Sequence, residues 1–281
     1  MSGFIENIKY NWKQSGIIIQ IILINILLFI PLNISVFLDA SLRNYLVLSL
    51  DPQEFLFKPW TFITCLFAHE QFMHILSNML WFYMMARIFV VVTGFTHWTK
   101  ITFIYIFGGI IGNILLIISS FLLPGLLPKS AYVLGASDGV MALSLALAFF
   151  CPDYIVNLIF IGEVKLKWVV AFLFIVSTMV DLSVNTGGKI SHFGGSIFGV
   201  FYGFQLKKGK DISNWFTNLM KFDFLRRNKL KVIHRKKDLK GVNSKGDEHA
   251  LNILLDKINR SGYESLSKIE KETLHQLSRK K

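Results

Sequence analysis

The chain has 281 residues, of which 53% are hydrophobic, with a mean hydropathy of +0.49 and a formal net charge of +12. Apolar runs such as 17–30, 101–123 and 168–180 approach the roughly 20 residues that cross a bilayer core of about 30 Å. The composition therefore excludes an ordinary soluble globular protein and predicts an integral membrane protein.

The positive charge is concentrated after the last apolar segment. Residues 1–206 hold ten Lys/Arg and nine Asp/Glu, whereas residues 207–281 hold twenty and nine. Basic residues beside a span mark the cytoplasmic side and attract anionic lipid headgroups. Nucleic acid would be attracted by the same charge, but no nucleic-acid-binding motif accompanies it. We expect membrane lipids, and not nucleic acid, as partners of this segment.

Six apolar segments are predicted to form transmembrane helices, at about 16–38, 73–93, 100–123, 137–151, 166–183 and 191–206. The first lacks a small-residue cleavage site, so we interpret it as a retained span and not as a signal peptide. Residues 39–58 mix charged and apolar side chains, which predicts an extramembrane loop with interfacial helices. Pro124 and Gly125 end the third helix, and the charges within 153–165 exclude a further span there.

Six spans place both termini on the same side of the membrane. Lys9 and Lys13 agree with the basic tail that this side is the cytoplasm. The starts of the second, fourth and sixth helices then share the outer face. The sequence divides into a transmembrane domain (1–206), a basic cytosolic linker (207–245) and a small cytosolic helical hairpin (246–281).

The hairpin is predicted from two helical patterns. An apolar stripe, at Leu251, Leu254, Leu255 and Ile258, indicates a first amphipathic helix. After a turn, Ser267 and Glu270 have the spacing of a capping box that opens a second helix.

Polar residues of the predicted spans gather at the outer ends of the second, fourth and sixth helices. Such residues are costly inside a bilayer and are therefore candidates for function. His74 and Asn78 are four residues apart and share one face of the second helix. Ser137 opens the fourth helix and His192 the sixth, so a weakly nucleophilic hydroxyl and a base that could activate it lie at one depth.

Glycines provide a reason for the fourth and sixth helices to touch. Gly195, Gly199 and Gly203 recur every four residues and clear one face of the sixth helix, while Ala142 is small on the fourth. Serines and histidines in membrane helices often only bond across helices, and glycine faces often serve packing alone. The combination at one depth on three helices nevertheless favours a nucleophilic site.

Two other polar patterns give weaker indications of a functional site. His69 and His74 resemble the histidine pair of a zinc-protease helix, but they are five residues apart, about 140° around a helix at ~100° per residue, so we expect no metal. Asp181 near the end of the fifth helix could orient a histidine, although capping or a polar contact is the simpler interpretation.

On these residues the chain resembles the rhomboid family of intramembrane serine proteases, in its bacterial six-helix form. The resemblance covers about 55–206. The matching motifs are Pro59-Trp60-Thr61, Phe67-Ala68-His69, His74 to Asn78, Gly135-Ala136-Ser137 and His192 to Gly199. It implies an all-α membrane protein with a six-helix rhomboid-like bundle, and the hairpin predicted above would follow this bundle.

The resemblance also implies a mechanism and a location. Ser137 would be the nucleophile, His192 the general base, and the Ser137 N–H with the His74 and Asn78 side chains the oxyanion hole. Rhomboids need no metal or nucleotide, and they cut other membrane proteins near the outer end of a transmembrane helix that enters laterally, here between the second and fifth helices. The implied location is a bacterial inner membrane; substrate-binding residues and oligomeric state are not indicated.

Two residues depart from the family pattern. Asp138 follows the serine where the family usually has glycine, and its carboxylate could favour protonated His192, oppose the oxyanion by like charge, or point to water. Thr61 follows Trp60 where arginine is usual, which weakens the anchoring of the first loop. Asp138 keeps open a second hypothesis, an inactive rhomboid-like protein that binds transmembrane helices. A channel or transporter is disfavoured because the polar cluster lies on one side only.

Overall fold

The computed structural model describes residues 16–38, 42–94, 98–129, 131–159, 161–179, 186–221 and 244–279. The chain forms two compact units that divide between residues 224 and 225. The first unit contains the apolar helices, and the second contains the C-terminal helices.

The helices of the first unit are α1 (Gly16–Phe37), α2 (Arg43–Leu46), α3 (Pro52–Phe57), α4 (Thr61–Thr64), α5 (Phe72–Thr93), α6 (Trp98–Leu122), α7 (Ser137–Phe150), α8 (Leu166–Thr178), α9 (Thr186–Lys207) and α10 (Asn214–Lys221). Its strands are β1 (Leu48–Ser49), β2 (Tyr132–Val133), β3 (Ile155–Leu158) and β4 (Gly162–Lys165). Helices α1, α5, α6, α7, α8 and α9 occupy the six predicted positions, so the predicted all-α membrane bundle is confirmed.

The six helices differ in how well each could cross a membrane alone. Helices α1, α5 and α6 are long and apolar enough by length and composition, whereas α7 and α8 are apolar but shorter. Helix α7 has 14 residues and is therefore only about 20 Å long at 1.5 Å per residue. It packs against α5, α6, α8 and α9. Most of its side chains are buried, so its surroundings are other helices more than lipid.

Two helix boundaries differ from the sequence prediction. Helix α9 begins at Thr186 and not at 191, because the polar and glycine residues of its first turn conceal the helix from a hydropathy pattern. His192 therefore lies in the second turn. Helix α8 ends at Thr178, and Asp181 lies outside the described residues.

Short strands complete the first unit. The segment 153–165, expected only not to span, forms a hairpin in which β3 pairs antiparallel with β4, Val156 opposite Val164. Strand β1 of the first loop pairs with β2, with Leu48 opposite Val133. The second pairing links the first loop to the segment that leads into α7.

The compact first unit continues beyond the predicted boundary at 206. Residues 214–221, placed by the sequence in a basic linker, form α10, which packs against α6. A hydrogen bond of 2.9 Å joins the Thr99 and Thr217 hydroxyls, and a partly buried ion pair joins Lys100 to Asp211. These contacts explain why a charged, amphipathic segment folds onto the bundle.

The second unit is a helical hairpin of α11 (Ser244–Ser261) and α12 (Lys268–Arg279), joined by a 3₁₀ turn. Leu254 and Leu266 are its buried apolar side chains. The Ser267 N–H donates to Glu270 Oε2 (2.8 Å), and the Glu270 N–H donates to Ser267 Oγ (3.3 Å). The predicted hairpin and its capping box are therefore both present.

Candidate functional site

The first turns of α5 and α7 and the first two turns of α9 meet at one end of the bundle, around a cavity of about 450 Å³. His74, Ser137 and His192 all line it, as the sequence predicts from three separate helices. Asp138, Cys65 and Asn113 also line it. The cavity thus brings a hydroxyl, two imidazoles and a carboxyl together beside an open space.

Gly135 makes the turn that presents Ser137 to the cavity. Its φ of +124° is a conformation that residues with a side chain rarely adopt. A Cβ on Gly135 would lie 2.7 Å from Cε1 of His74, so the ring occupies the space that a side chain would fill. The Gly135 N–H donates to the Cys65 carbonyl at 2.8 Å. Glycine is therefore required here both by the backbone and by the neighbouring histidine.

Ser137 and His192 form a hydrogen bond across α7 and α9. Ser137 Oγ is 2.7 Å from His192 Nε2, and His192 Nδ1 is 3.3 Å from the backbone carbonyl oxygen of Ser177 on α8. Because a carbonyl only accepts, Nδ1 is assigned the proton and Nε2 is left to accept the serine proton. This is the tautomer that a general base for serine requires.

Glycines on α9 bring the two helices this close. A Cβ on Gly195 would lie 2.5 Å from the Asp138 carbonyl oxygen. Cβ atoms on Gly199 and Gly203 would collide with the carbonyl oxygens of Ala142 and Ala146. The close approach predicted from the four-residue spacing is therefore observed, and it holds the Ser137 and His192 side chains at hydrogen-bond distance.

The two side chains predicted for an oxyanion hole differ in their surroundings. His74 borders the cavity beside Gly135, whereas Asn78 is buried, and its Nδ2 contacts His69 Nε2 at 3.2 Å. His69 Nε2 also accepts from the Ala136 N–H at 3.3 Å. The structure therefore places His74 and Ser137 on the wall of the same cavity, while Asn78 contacts His69, which in turn bonds to the Ala136 N–H.

Asp138, the departure from the family pattern, does not point to water. Asp138 is 4% exposed, and its carboxyl accepts a hydrogen bond from the hydroxyl of Ser191, a residue that is 0% exposed. Its Oδ1 lies 3.9 Å from His192 Nε2. The expectation that the carboxyl might face solvent is wrong, because α6 and α9 close over the first turn of α7.

The second departure, Thr61, leaves the first loop anchored by other contacts. Thr61 is buried and donates to the Lys58 carbonyl at 2.6 Å. Arg43 Nε donates to Glu70 Oε1 at 2.6 Å, and its guanidinium lies 3.6 Å from the centre of the Tyr132 ring. An arginine therefore ties the loop to β2, although from a different position in the sequence.

His69 and His74, the two histidines with a resemblance to a zinc-protease pair, lie close together at this end of the bundle. The rings of His69 and His74 are 5.0 Å apart, centre to centre, with their planes at 68°. Within the described ranges, no group of three or more His, Cys, Asp or Glu residues is placed to hold a metal ion.

Three contributors to this site were not predicted as members of it. The sequence indicated His69 as a possible metal ligand and as part of a family motif, and it indicated neither Ser191 nor the Ser177 carbonyl as part of the site. For His69, its place in the Phe67-Ala68-His69 motif was an available signal. The other two depend on the rotation and depth of helices, which the sequence alone does not give.

Comparison with known families agrees with this geometry. Residues 56–209 match the Rhomboid domain, which is more than half of the chain. The chain therefore belongs to the rhomboid family. Residues 242–280, which include the hairpin, match a family of unknown function (DUF6576). No curated protein matches the chain in sequence.

Proposed function

We propose that the protein is an intramembrane serine endopeptidase that cleaves transmembrane helices of other membrane proteins. The observation that carries this proposal is the 2.7 Å hydrogen bond between Ser137 Oγ and His192 Nε2 beside a cavity. Membership of the rhomboid family supports it, although the family also contains inactive members.

The proposed reaction begins with proton transfer between these two residues. Ser137 Oγ attacks the carbonyl carbon of the scissile peptide as its proton passes to His192 Nε2. The peptide C–N bond then breaks, and the Nε2 proton moves to the departing amine, which leaves an ester on Ser137. Water attacks this ester after giving a proton to His192, and that proton returns to Ser137 Oγ when the ester bond breaks.

The negative oxygen formed in each step requires hydrogen-bond donors. The backbone N–H of Ser137 at the start of α7 and the side chain of His74 at the cavity are the proposed donors. Asn78 would act as a donor after rotating from His69, or would hold His69 and the turn at Ala136 in place. Each donor of this kind contributes about 3–4 kcal/mol of transition-state stabilisation.

The proposed substrate class depends on the site lying within the membrane, where it would meet a transmembrane helix. A peptide bond within a transmembrane helix is shielded by its own hydrogen bonds, so the helix must unwind before attack, which small or helix-breaking residues favour. We propose that the site faces the outer side of a bacterial inner membrane, with both termini cytoplasmic. The basic residues after α9 would then contact anionic lipids.

Labelling by a fluorophosphonate probe of the full chain in detergent tests the proposal. The wild type and Ser144→Ala are expected to be labelled, since the Ser144 hydroxyl on the same helix is bonded to the Val140 carbonyl at 2.7 Å. Ser137→Ala and His192→Ala should lose at least about 10³-fold in labelling rate. Cleavage of a reconstituted transmembrane substrate should follow the same order.

Wild-type labelling no greater than that of Ser137→Ala would contradict the protease proposal. The second candidate is a catalytically impaired protein that binds transmembrane helices, and the observation favouring it is the carboxyl of Asp138 directly after the serine. If the probe does not label the wild type, binding of a transmembrane peptide to the folded protein would support that candidate, provided that the binding is lost when the protein is unfolded in detergent.

A further inference from the structure

The residues directly after Ser137 and directly before His192 form a second pair between the same two helices. Ser191 Oγ on α9 donates to Asp138 Oδ2 on α7, so this bond joins the same two helices as the bond between Ser137 and His192. The other carboxyl oxygen, Oδ1, lies 3.9 Å from His192 Nε2. One carboxyl group is therefore fixed by a hydroxyl on one side and faces the imidazole on the other.

The backbone of α6 leaves room for this second pair. A Cβ on Gly112 would lie 3.0 Å from Ser191 Oγ and 3.1 Å from Asp138 Oδ2. The absence of a side chain at Gly112 therefore makes the space in which the carboxyl and hydroxyl meet. Helices α6, α7 and α9 therefore all contribute to the place that the carboxyl occupies.

A carboxyl in this position is costly unless a charged or polar partner compensates it. Burial removes its hydration, and one hydroxyl donor replaces only part of it. The group that could supply the remainder is His192, which becomes a cation each time it takes a proton from Ser137. The carboxyl is thus compensated best at the moment when the imidazole is charged.

Resting on the proposed protease function, we propose that Asp138 is a positioning residue that stabilises protonated His192 electrostatically during the reaction, with Ser191 holding the carboxyl in place. The interaction acts across 3.9 Å between two side chains that are 14% and 5% exposed, and charges withdrawn from water in this way are screened less than charges at the surface. It supplies to this Ser–His pair the charge that a third acidic residue supplies in soluble serine proteases.

Several other titratable groups surround the carboxyl and must be considered in any pH experiment. Besides His192, they are Cys65 in the first loop, His74 on α5, Tyr105 on α6 and Lys189 on α9. The Tyr105 hydroxyl donates to the Leu66 carbonyl at 2.6 Å. Variants that differ only at Asp138 leave these groups unchanged, so a difference between two pH curves reports the carboxyl.

The experiment compares three variants of the full chain in detergent by the rate of fluorophosphonate labelling at several pH values. Asp138→Asn removes the charge but keeps an oxygen that accepts from Ser191. Ser191→Ala keeps the charge but removes the hydroxyl. Asp138→Gly removes both the charge and the acceptor oxygen, and it introduces the residue that the family usually has.

If Asp138 acts through its charge, Asp138→Asn and Asp138→Gly should label about tenfold more slowly at neutral pH. The acidic limb of their pH–rate curve should move to lower pH, because a neutral neighbour no longer favours protonated imidazole. Ser191→Ala should lose a smaller factor and keep the wild-type limb, since its carboxyl remains. A merely structural role would not move this limb.

Two outcomes would overturn the inference while the protease proposal stands. An Asp138→Asn rate and pH curve equal to those of the wild type would mean that the carboxyl only braces the two helices. Faster labelling by either Asp138 variant would mean that the carboxylate opposes the oxyanion. Absence of Ser137-dependent labelling in the wild type is a separate result, which contradicts the protease proposal and this inference with it. Thermal unfolding shows whether each variant is folded. If either Asp138→Asn or Asp138→Gly does not fold, the other one provides the test of the inference.

Discussion

Two aspartates whose side chains have little exposure lie at opposite ends of the bundle, and they differ in how many hydrogen-bond partners the carboxyl has. Asp211, after α9, pairs with Lys100 and accepts from the Tyr202 hydroxyl (3.1 Å) and from the N–H and hydroxyl of Ser213 (2.9 and 2.6 Å). Among the described residues, Asp138 accepts from Ser191 alone and borders a cavity. A carboxyl whose acceptor sites are filled fixes structure, whereas one left partly unfilled beside open space can respond to charge that appears during a reaction.

The largest expected effect on stability is at Asp211, the aspartate whose acceptor sites are filled. Asp211→Asn leaves Lys100, with its side chain 8% exposed, beside a neutral amide. Breaking a fully buried pair by removing one partner costs about 3–5 kcal/mol. The Lys100–Asp211 pair is part-buried, so the cost should be smaller, but the unfolding midpoint in detergent should still fall. The labelling rate per folded molecule should stay at the wild-type value, because the cavity lies at the other end.

Asp153→Asn is the matched control for this variant. Asp153 contacts Lys165 and Lys167 at 3.1 and 3.0 Å, but these side chains are solvent-exposed. Its unfolding midpoint should change little, since exposed ion pairs contribute little. Loss of labelling in folded Asp211→Asn would show that the two ends are coupled and would contradict the contrast drawn between them.

Gly199→Ala tests the part of α9 that lies between the two ends. The added Cβ would collide with the Ala142 carbonyl oxygen, so α7 and α9 must separate. Overpacking of this kind costs about 1–3 kcal/mol, and the labelling rate should fall as well because the separation lengthens the Ser137–His192 hydrogen bond.

Gly125→Ala is the control, since a Cβ there meets nothing within 4 Å. Unfolding and labelling are measured on both variants under the same conditions. A Gly199→Ala protein with wild-type labelling would mean that the contact between α7 and α9 does not set the geometry of the site.

The smallest effect is expected for an exposed counterpart of the Lys100–Asp211 pair. In the hairpin, the hydrogen bonds from Lys257 and then from Ser267 lower the pKa of Glu270 to about 2. A carboxyl with a lowered pKa stabilises the fold above its ordinary value of 4.5, and this contribution is lost as the pH falls toward 2.

Hydrogen exchange of the full chain, corrected for intrinsic rates, measures this effect. Protection of α12 amides should decline between pH 5 and pH 3 in the wild type (approximate limits set by the linkage relation). Glu270→Gln should begin lower and change less, with Glu272→Gln on the same helix as control. Equal pH dependence in Glu270→Gln and the wild type would contradict the assigned role of the capping box.

The positions of the six helices were predictable because each depends on a local apolar pattern. Where the prediction failed, the determinants were not local. The β3–β4 hairpin is too short for a clear alternating pattern, and the first turn of α9 is polar. Helix α10 was not predicted within its basic segment because Thr99, which bonds to Thr217 of this helix, lies more than a hundred residues earlier.

The candidate site was predictable to a similar degree. The four-residue spacing of Gly195, Gly199 and Gly203 indicated which helices touch, and this brought Ser137 to His192. The direction of the Asp138 carboxyl was not predictable, since it depends on the rotation of α7 and on the space at Gly112. Nor was the contact of Asn78 with His69, because a side chain with two N–H groups has several possible partners.

The carbonyl oxygen of Ser177 has a consequence for how this site could be controlled. It belongs to the backbone of α8, so no substitution at Ser177 removes it from His192 Nδ1. A sideways shift of α8 by little more than an ångström would break that 3.3 Å contact and free the imidazole to turn away from the serine. The orientation of His192 therefore depends on the position of α8.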